Sequence, residues 1–177
     1  VNEDSFLTPT TMYGCNKLYC EQLGRYYARH YRQLAEDSGA DLIDFRCLRY
    51  PGLISADTLP SGGTSDFAPE MIHAAEAIDA TLQLAGAEEP RLKRNVYNIA
   101  SFSPTAGDLA EAVRRHFPGA QITFSPDKRR QKIVDSWPED VDTTSATRDW
   151  GFDPTHDLES AFAEVLAPRI SARYAGV

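Results

Sequence analysis

The sequence predicts an α/β fold, part of a parallel sheet followed by a mixed α+β segment, on three observations. Helical periodicity over 10–36 leads into an apolar, partly alternating strand pattern over 41–52. A second helix-then-strand pair follows, EAIDATLQLAGA (76–87) and NVYNIA (95–100), and a helix feeding a buried strand is half of a parallel α/β unit. The remainder is mixed: a short helix, a short strand and an amphipathic C-terminal helix.

In the first helix, Leu18, Leu23, Tyr26, Tyr27, Tyr31 and Leu34 fall near a 3.6-residue spacing, behind the entry Pro9-Thr10-Thr11 and ahead of the stop Asp37-Ser38-Gly39. The strand DLIDFRCLRYPG is closed by Pro51 and Gly52, and LISADTLPSGGTSDF (53–67) is a loop by composition. Two helical runs, PEMIHAA (69–75) and EAIDATLQLAGA, precede the strand NVYNIA. Ser103-Pro104 reads as an N-cap and a helix-starting proline for a helix to about His116, and AQITFSP (120–126) as a short strand. TSATRDWG gives a short helix ending at Gly151. DLESAFAEVLAPRI is the C-terminal helix, with Asp157 at its N-cap; Trp137 and Trp150 are expected to pack rather than to serve a site.

Charge and composition exclude several functions. Eighteen basic against 26 acidic residues give a net charge of −8, which works against the phosphate-neutralising surface that nucleic acids require. No stretch approaches the ~20 apolar residues of a membrane span, and VNEDSFLTP has neither a basic nor an apolar leader region. Cys15, Cys20 and Cys47 form no CxxC and no zinc pattern, and histidines 30, 73, 116 and 156 lack ligand spacing, so no metal is assigned. The expectation is a soluble cytoplasmic protein with reduced thiols and no nucleic-acid or membrane partner.

Tyr13 and Lys17 carry the chemistry. Positions i and i+4 share one helix face, so a phenol and an ammonium can reach one pocket. An ammonium beside a phenol favours the phenolate, which makes a tyrosine usable as a general base. Spacing alone favours an ordinary surface pair, since YxxxK arises readily by chance.

The surrounding pattern Pro9, Tyr13, Gly14, Lys17 and Glu21 resembles the catalytic helix of the extended short-chain dehydrogenases/reductases, the NAD-dependent epimerase/dehydratase group. FRCLRYPGLIS (45–55), PSGGTSDFA (60–68), SFSP (101–104), RQKIVDSWPEDVD (130–142) and RDWGFDPTHDL (148–158) resemble the short-chain type of L-threonine 3-dehydrogenase, in order along the chain. The resemblance implies the C-terminal part of a Rossmann-type parallel sheet domain plus a smaller mixed α+β substrate-binding segment. It implies NAD as cofactor, Tyr13 as acid/base and Lys17 as its partner and a ligand of the nicotinamide ribose. Tyr50, Pro51, Gly52 and Leu53 would lie beside the nicotinamide, and Thr64, Ser65 and Asp66 would face a small-molecule substrate, an amino acid or a nucleotide sugar. Arg130, in a basic cluster with Lys128 and Arg129, is either on a solvated face or holds a substrate carboxylate or phosphate. The helix of Tyr13 and Lys17 would also form a homodimer interface.

On this reading residues 1–56 end the NAD-binding domain, and 57–177 are mainly the substrate-binding segment, with 92–101 returning to the sheet. The sequence departs from the family in having no G-x-x-G-x-x-G fingerprint and no third hydroxyl for the Tyr-Lys pair. Two runs also abut at Ala75-Glu76, where the family carries a further segment, so a chain gap is expected there. A nucleotide-sugar epimerase or dehydratase, and a non-catalytic binding or assembly module, are the alternatives.

Overall fold

The computed structural model describes residues 1–5, 7–36, 42–57 and 71–175. The first helix, α1 (Met12–Arg29), starts where the Thr11 side chain accepts the Gly14 amide and buries Glu21 and Gly24. It stops short of the expected residue 36, because the chain turns after His30 and Arg32 takes a left-handed φ of 52° that a helix cannot continue.

Among the described residues, two short parallel pairs make the sheet structure. Strand β1 (Cys47–Arg49) pairs with β4 (Val96–Asn98), Leu48 lying opposite Tyr97 and Arg49 opposite Asn98. Strand β2 (Gly52–Ile54) pairs with β3 (Met71–His73) in the same sense. Here the sequence reading is corrected: residues 71–73 form a strand, not part of a helix over 69–75, and the loop expected from 53 begins with strand β2. Periodicity does not separate helix from strand over so short an apolar run, and the open edge of β2 decides the matter.

Helix α2 (Ala74–Gly86) leaves β3 directly and runs unbroken across Ala75-Glu76. Glu76 in its first turn is buried and accepts hydrogen bonds from Ser101 Oγ (3.0 Å), the Thr155 amide (2.7 Å) and the His156 amide (2.9 Å). Helix α3 (Ala106–His116) is capped two residues later than Ser103, by Thr105 in a capping box with Asp108. The expected strand over 120–126 is absent: residues 121–127 have no regular structure, and Phe124 stands exposed without a strand partner. Asp127 caps a short helix instead, α4 (Lys128–Val134). Helix α5 (Thr144–Trp150) ends at Gly151, whose φ of 81° is left-handed.

The C-terminal helix begins at the expected Asp157 cap but has three parts, α6 (Leu158–Ser160), a π-helical stretch Ala161–Leu166 and α7 (Ala167–Tyr174). Pro168 supplies the reason for the widening, since it brings no amide to the ladder and its ring presses on the preceding turn.

Two hydrophobic clusters hold these parts. Tyr97 and Ile99 from the β4 region meet Ala77, Ala80 and Leu84 of α2 and Ala146, Trp150 and Phe152. Within this cluster the Tyr97 hydroxyl donates to Asp149 (2.9 Å). The second cluster packs Ala112 of α3 on Phe162 and Leu166. Trp150 is buried as expected, whereas Trp137 is half-buried.

Candidate active site

The C-terminal end of β1 opens beside α1, where parallel α/β sheets place their ligand crevice. A cleft of about 680 Å³ lies there, lined by Tyr13, Gly14, Lys17 and Glu21 of α1, by β1 and by Tyr50 and Pro51 beyond it. Tyr13 and Lys17 share one helix face, with the Lys17 ammonium 5.2 Å from the centroid of the Tyr13 ring. Both reach the cleft because the helix entry is tight: a Cβ on Gly14 would sit 2.7 Å from the Pro9 Cβ. The Pro-x-x-x-Tyr-Gly pattern is therefore a packing requirement as well as a motif.

Strand β1 is tied to α1 by one charged pair. Arg49 Nε and an Arg49 Nη each donate to a different oxygen of Glu21, both at 2.8 Å, and the other Nη donates to the Glu3 carbonyl at 3.0 Å. The Glu21 carboxylate beside it holds the Arg49 guanidinium above its ordinary range, against the opposing effect of burial. Glu3 is itself buried, and its carboxylate accepts from the Asn98 amide at 3.3 Å. Burial pushes the Cys47 thiol up, so this cleft-lining cysteine is held as the neutral thiol.

Of the residues expected to bind cofactor, Tyr13, Lys17, Tyr50 and Pro51 converge on the cleft. The Tyr50 phenol is bonded to the Thr81 hydroxyl of α2. Gly52 and Leu53 belong to β2 and do not line the cleft; Leu53 is exposed. Arg130 lies on α4, outside the cleft lining, and its backbone amide donates to the Asp127 cap. Thr64, Ser65 and Asp66 fall outside the described residues. Arg49 and Glu3 were given no role of their own from sequence, and Cys47 was read only as a reduced thiol. Arg49 carried one usable signal, its place directly before Tyr50, whereas nothing local marks Glu3.

The architecture is that of a Rossmann-like α/β chain, with a Tyr-Lys pair at the carboxyl edge of a parallel sheet. No family model matches the chain. It is 36% identical to the mitochondrial L-threonine 3-dehydrogenase of Bos taurus over 180 residues, covering 89% of this chain and 46% of that protein. An uncharacterised epimerase/dehydratase of Staphylococcus haemolyticus is 33% identical over 179 residues, covering 88% of this chain and 53% of that one. The structure of L-threonine dehydrogenase from Clostridium difficile superposes with a TM-score of 0.83 at 28% identity, covering 98% of this chain and 58% of that one. The chain is thus a homologue of the L-threonine 3-dehydrogenases and the epimerase/dehydratase proteins. It spans about half the length of the curated relatives it matches.

Proposed function

We propose that the chain carries the acid/base part of an NAD-dependent oxidoreductase that acts on a secondary hydroxyl of a small molecule, L-threonine being the substrate the homology favours. The observation that carries this reading is the convergence of Tyr13 and Lys17 with Tyr50 and Pro51 in one cleft at the end of a parallel strand. The cleft fits the nicotinamide end of the cofactor. Its apolar wall of Leu48, Tyr50 and Pro51 suits a ring, and the phenol and ammonium suit a ribose and a reacting hydroxyl.

When bound, NAD would supply the hydride acceptor for the carbinol C–H bond. Tyr13, as the phenolate, would take the hydroxyl proton at its oxygen as the carbon–oxygen double bond forms, and Lys17 would hold positive charge beside it and donate to the ribose. For threonine the product is the ketone 2-amino-3-oxobutanoate. The proton leaves through Tyr13 to solvent, since its side chain is exposed.

Replacing Tyr13 by Phe in the natural full-length polypeptide is expected to lower kcat by about 10²–10⁴-fold with the fold intact by circular dichroism. Near-normal NADH formation from threonine in that variant rejects the assignment. The epimerase/dehydratase relative supports a second reading, a redox-neutral reaction at the same pair, with a UDP- or dTDP-sugar as the substrate to test. Net NADH formation distinguishes the first from the redox-neutral second.

The three free thiols Cys15, Cys20 and Cys47 suit a reducing compartment, the cytoplasm. Among the described residues no helix is long and apolar enough to cross a membrane. The partner we assign is a second copy of the chain, meeting along the outward aromatic face of α1; neither nucleic acid nor membrane is assigned.

A further inference from the structure

Tyr13, Lys17 and Glu21 lie one turn apart along the same face of α1. A lysine and a glutamate at i and i+4 attract each other on a helix, so Glu21 is a natural competitor for the Lys17 ammonium. It is also the one acidic residue among the described residues that line the cleft. The ammonium nevertheless lies by the Tyr13 ring, and both Glu21 oxygens are taken by Arg49. Arg49 is held in turn by the Glu3 carbonyl and by its place in β1, and Glu21 is buried. A planar guanidinium satisfies both carboxylate oxygens at once, which an ammonium cannot do.

We propose that Arg49 is a positioning residue: by occupying Glu21 it keeps Lys17 directed at Tyr13 rather than at its own i+4 neighbour. This rests on the proton-transfer reading of Tyr13 and Lys17. It assigns the arginine of the Leu-Arg-Tyr-Pro run a task beyond joining α1 to β1. Without Arg49, Glu21 captures the ammonium, and the tyrosine loses the positive charge beside its ring. The other titratable groups that line the cleft with Lys17 are Cys20 on α1, Cys47 on β1, Tyr50 and the Val1 amino group. None of them brings a carboxylate.

The test uses the natural full-length polypeptide. In Arg49→Gln the rising limb of kcat/KM for alcohol oxidation is expected to move to higher pH by about one unit. In Arg49→Gln/Glu21→Gln, where the competitor is gone, the limb returns toward its original place. Arg49→Lys, whose ammonium cannot satisfy both Glu21 oxygens, is expected to move the limb part of the way, and covers the case in which the glutamine variant fails to fold. A readout without cofactor is the rate of acetic anhydride labelling at Lys17, followed by mass spectrometry against Lys93, Lys128 and Lys132. It should fall several-fold in the single variant and recover in the double. Unchanged labelling and an unmoved limb in Arg49→Gln, or a double variant as impaired as the single, overturns the proposal. Full activity in Tyr13→Phe overturns the underlying reading instead, whatever the labelling shows.

Discussion

Glu76 shows what a single buried carboxylate can do in this chain. Burial would push its carboxyl up, but hydrogen bonds from Thr155, His156 and Ser101 outweigh this and hold it below its ordinary value of 4.5. Because the folded state lowers this value, ionisation of Glu76 contributes stability that is complete above about pH 4.5 and is lost as pH falls through the lower folded value. Melting temperature measured across pH 3–7 should therefore fall on the acid side. Glu76→Gln should flatten that fall and cost about 1–3 kcal/mol near neutrality. At this scale legibility depended on sequence distance. Tyr13 and Lys17 were readable because one helix turn fixes their geometry, whereas the Arg49–Glu21 fork joins residues 28 apart and left no local trace. Glu76 was visible only as one side of a suspected join, although its partners lie at residues 101, 155 and 156.

Among the elements, α1 is set by one close approach. A Cβ on Gly24 would lie 2.3 Å from the Phe45 ring, so the helix can sit on the β1 strand only where that side chain is missing. Gly24→Ala gains about 1 kcal/mol of helix propensity, yet overpacking costs about 1–3 kcal/mol. We expect a lower melting temperature and an altered Tyr13-Lys17 placement, checked by denaturant unfolding and by activity. Helix cores and caps were legible from periodicity and local hydrogen bonding, as at Thr11, Asp157 and Gly151. Short pieces were not: Met71–His73 pairs because Gly52–Ile54 offers an edge, whereas 121–127 pairs with no strand among the described residues. Such outcomes are decided by partners distant in sequence.

For the whole molecule, the proposed second copy would meet the outward face of α1. Tyr19, Leu23, Tyr26 and Tyr27 are exposed there, and Tyr26, Tyr27 and Tyr31 contact one another with ring centroids 5.2–6.2 Å apart. Tyrosines suit an interface because each offers a large apolar body with a polar tip. Sedimentation of the full-length protein should show a dimer, and Tyr19→Glu/Tyr27→Glu should shift it to monomer; an unchanged dimer places the contact elsewhere. The parallel α/β class was legible from the order of helices and strands. The two-sheet arrangement was not, because one run of sequence, 47–54, serves both pairs. The alignment with the bovine relative extends over 180 positions, more than this whole chain of 177 although only 89% of it is aligned. That relative therefore has intervening residues without counterparts here.

Between Arg49, the last residue of β1, and Gly52, the first of β2, stand only Tyr50 and Pro51, and both face the cleft. The strand pair β2–β3 thus hangs from the α1-bound pair by a two-residue coupling in which proline fixes one torsion. Tyr50 is also pinned to Thr81 on the helix that follows β3, so the coupling that lines the cleft is anchored from both strand pairs at once.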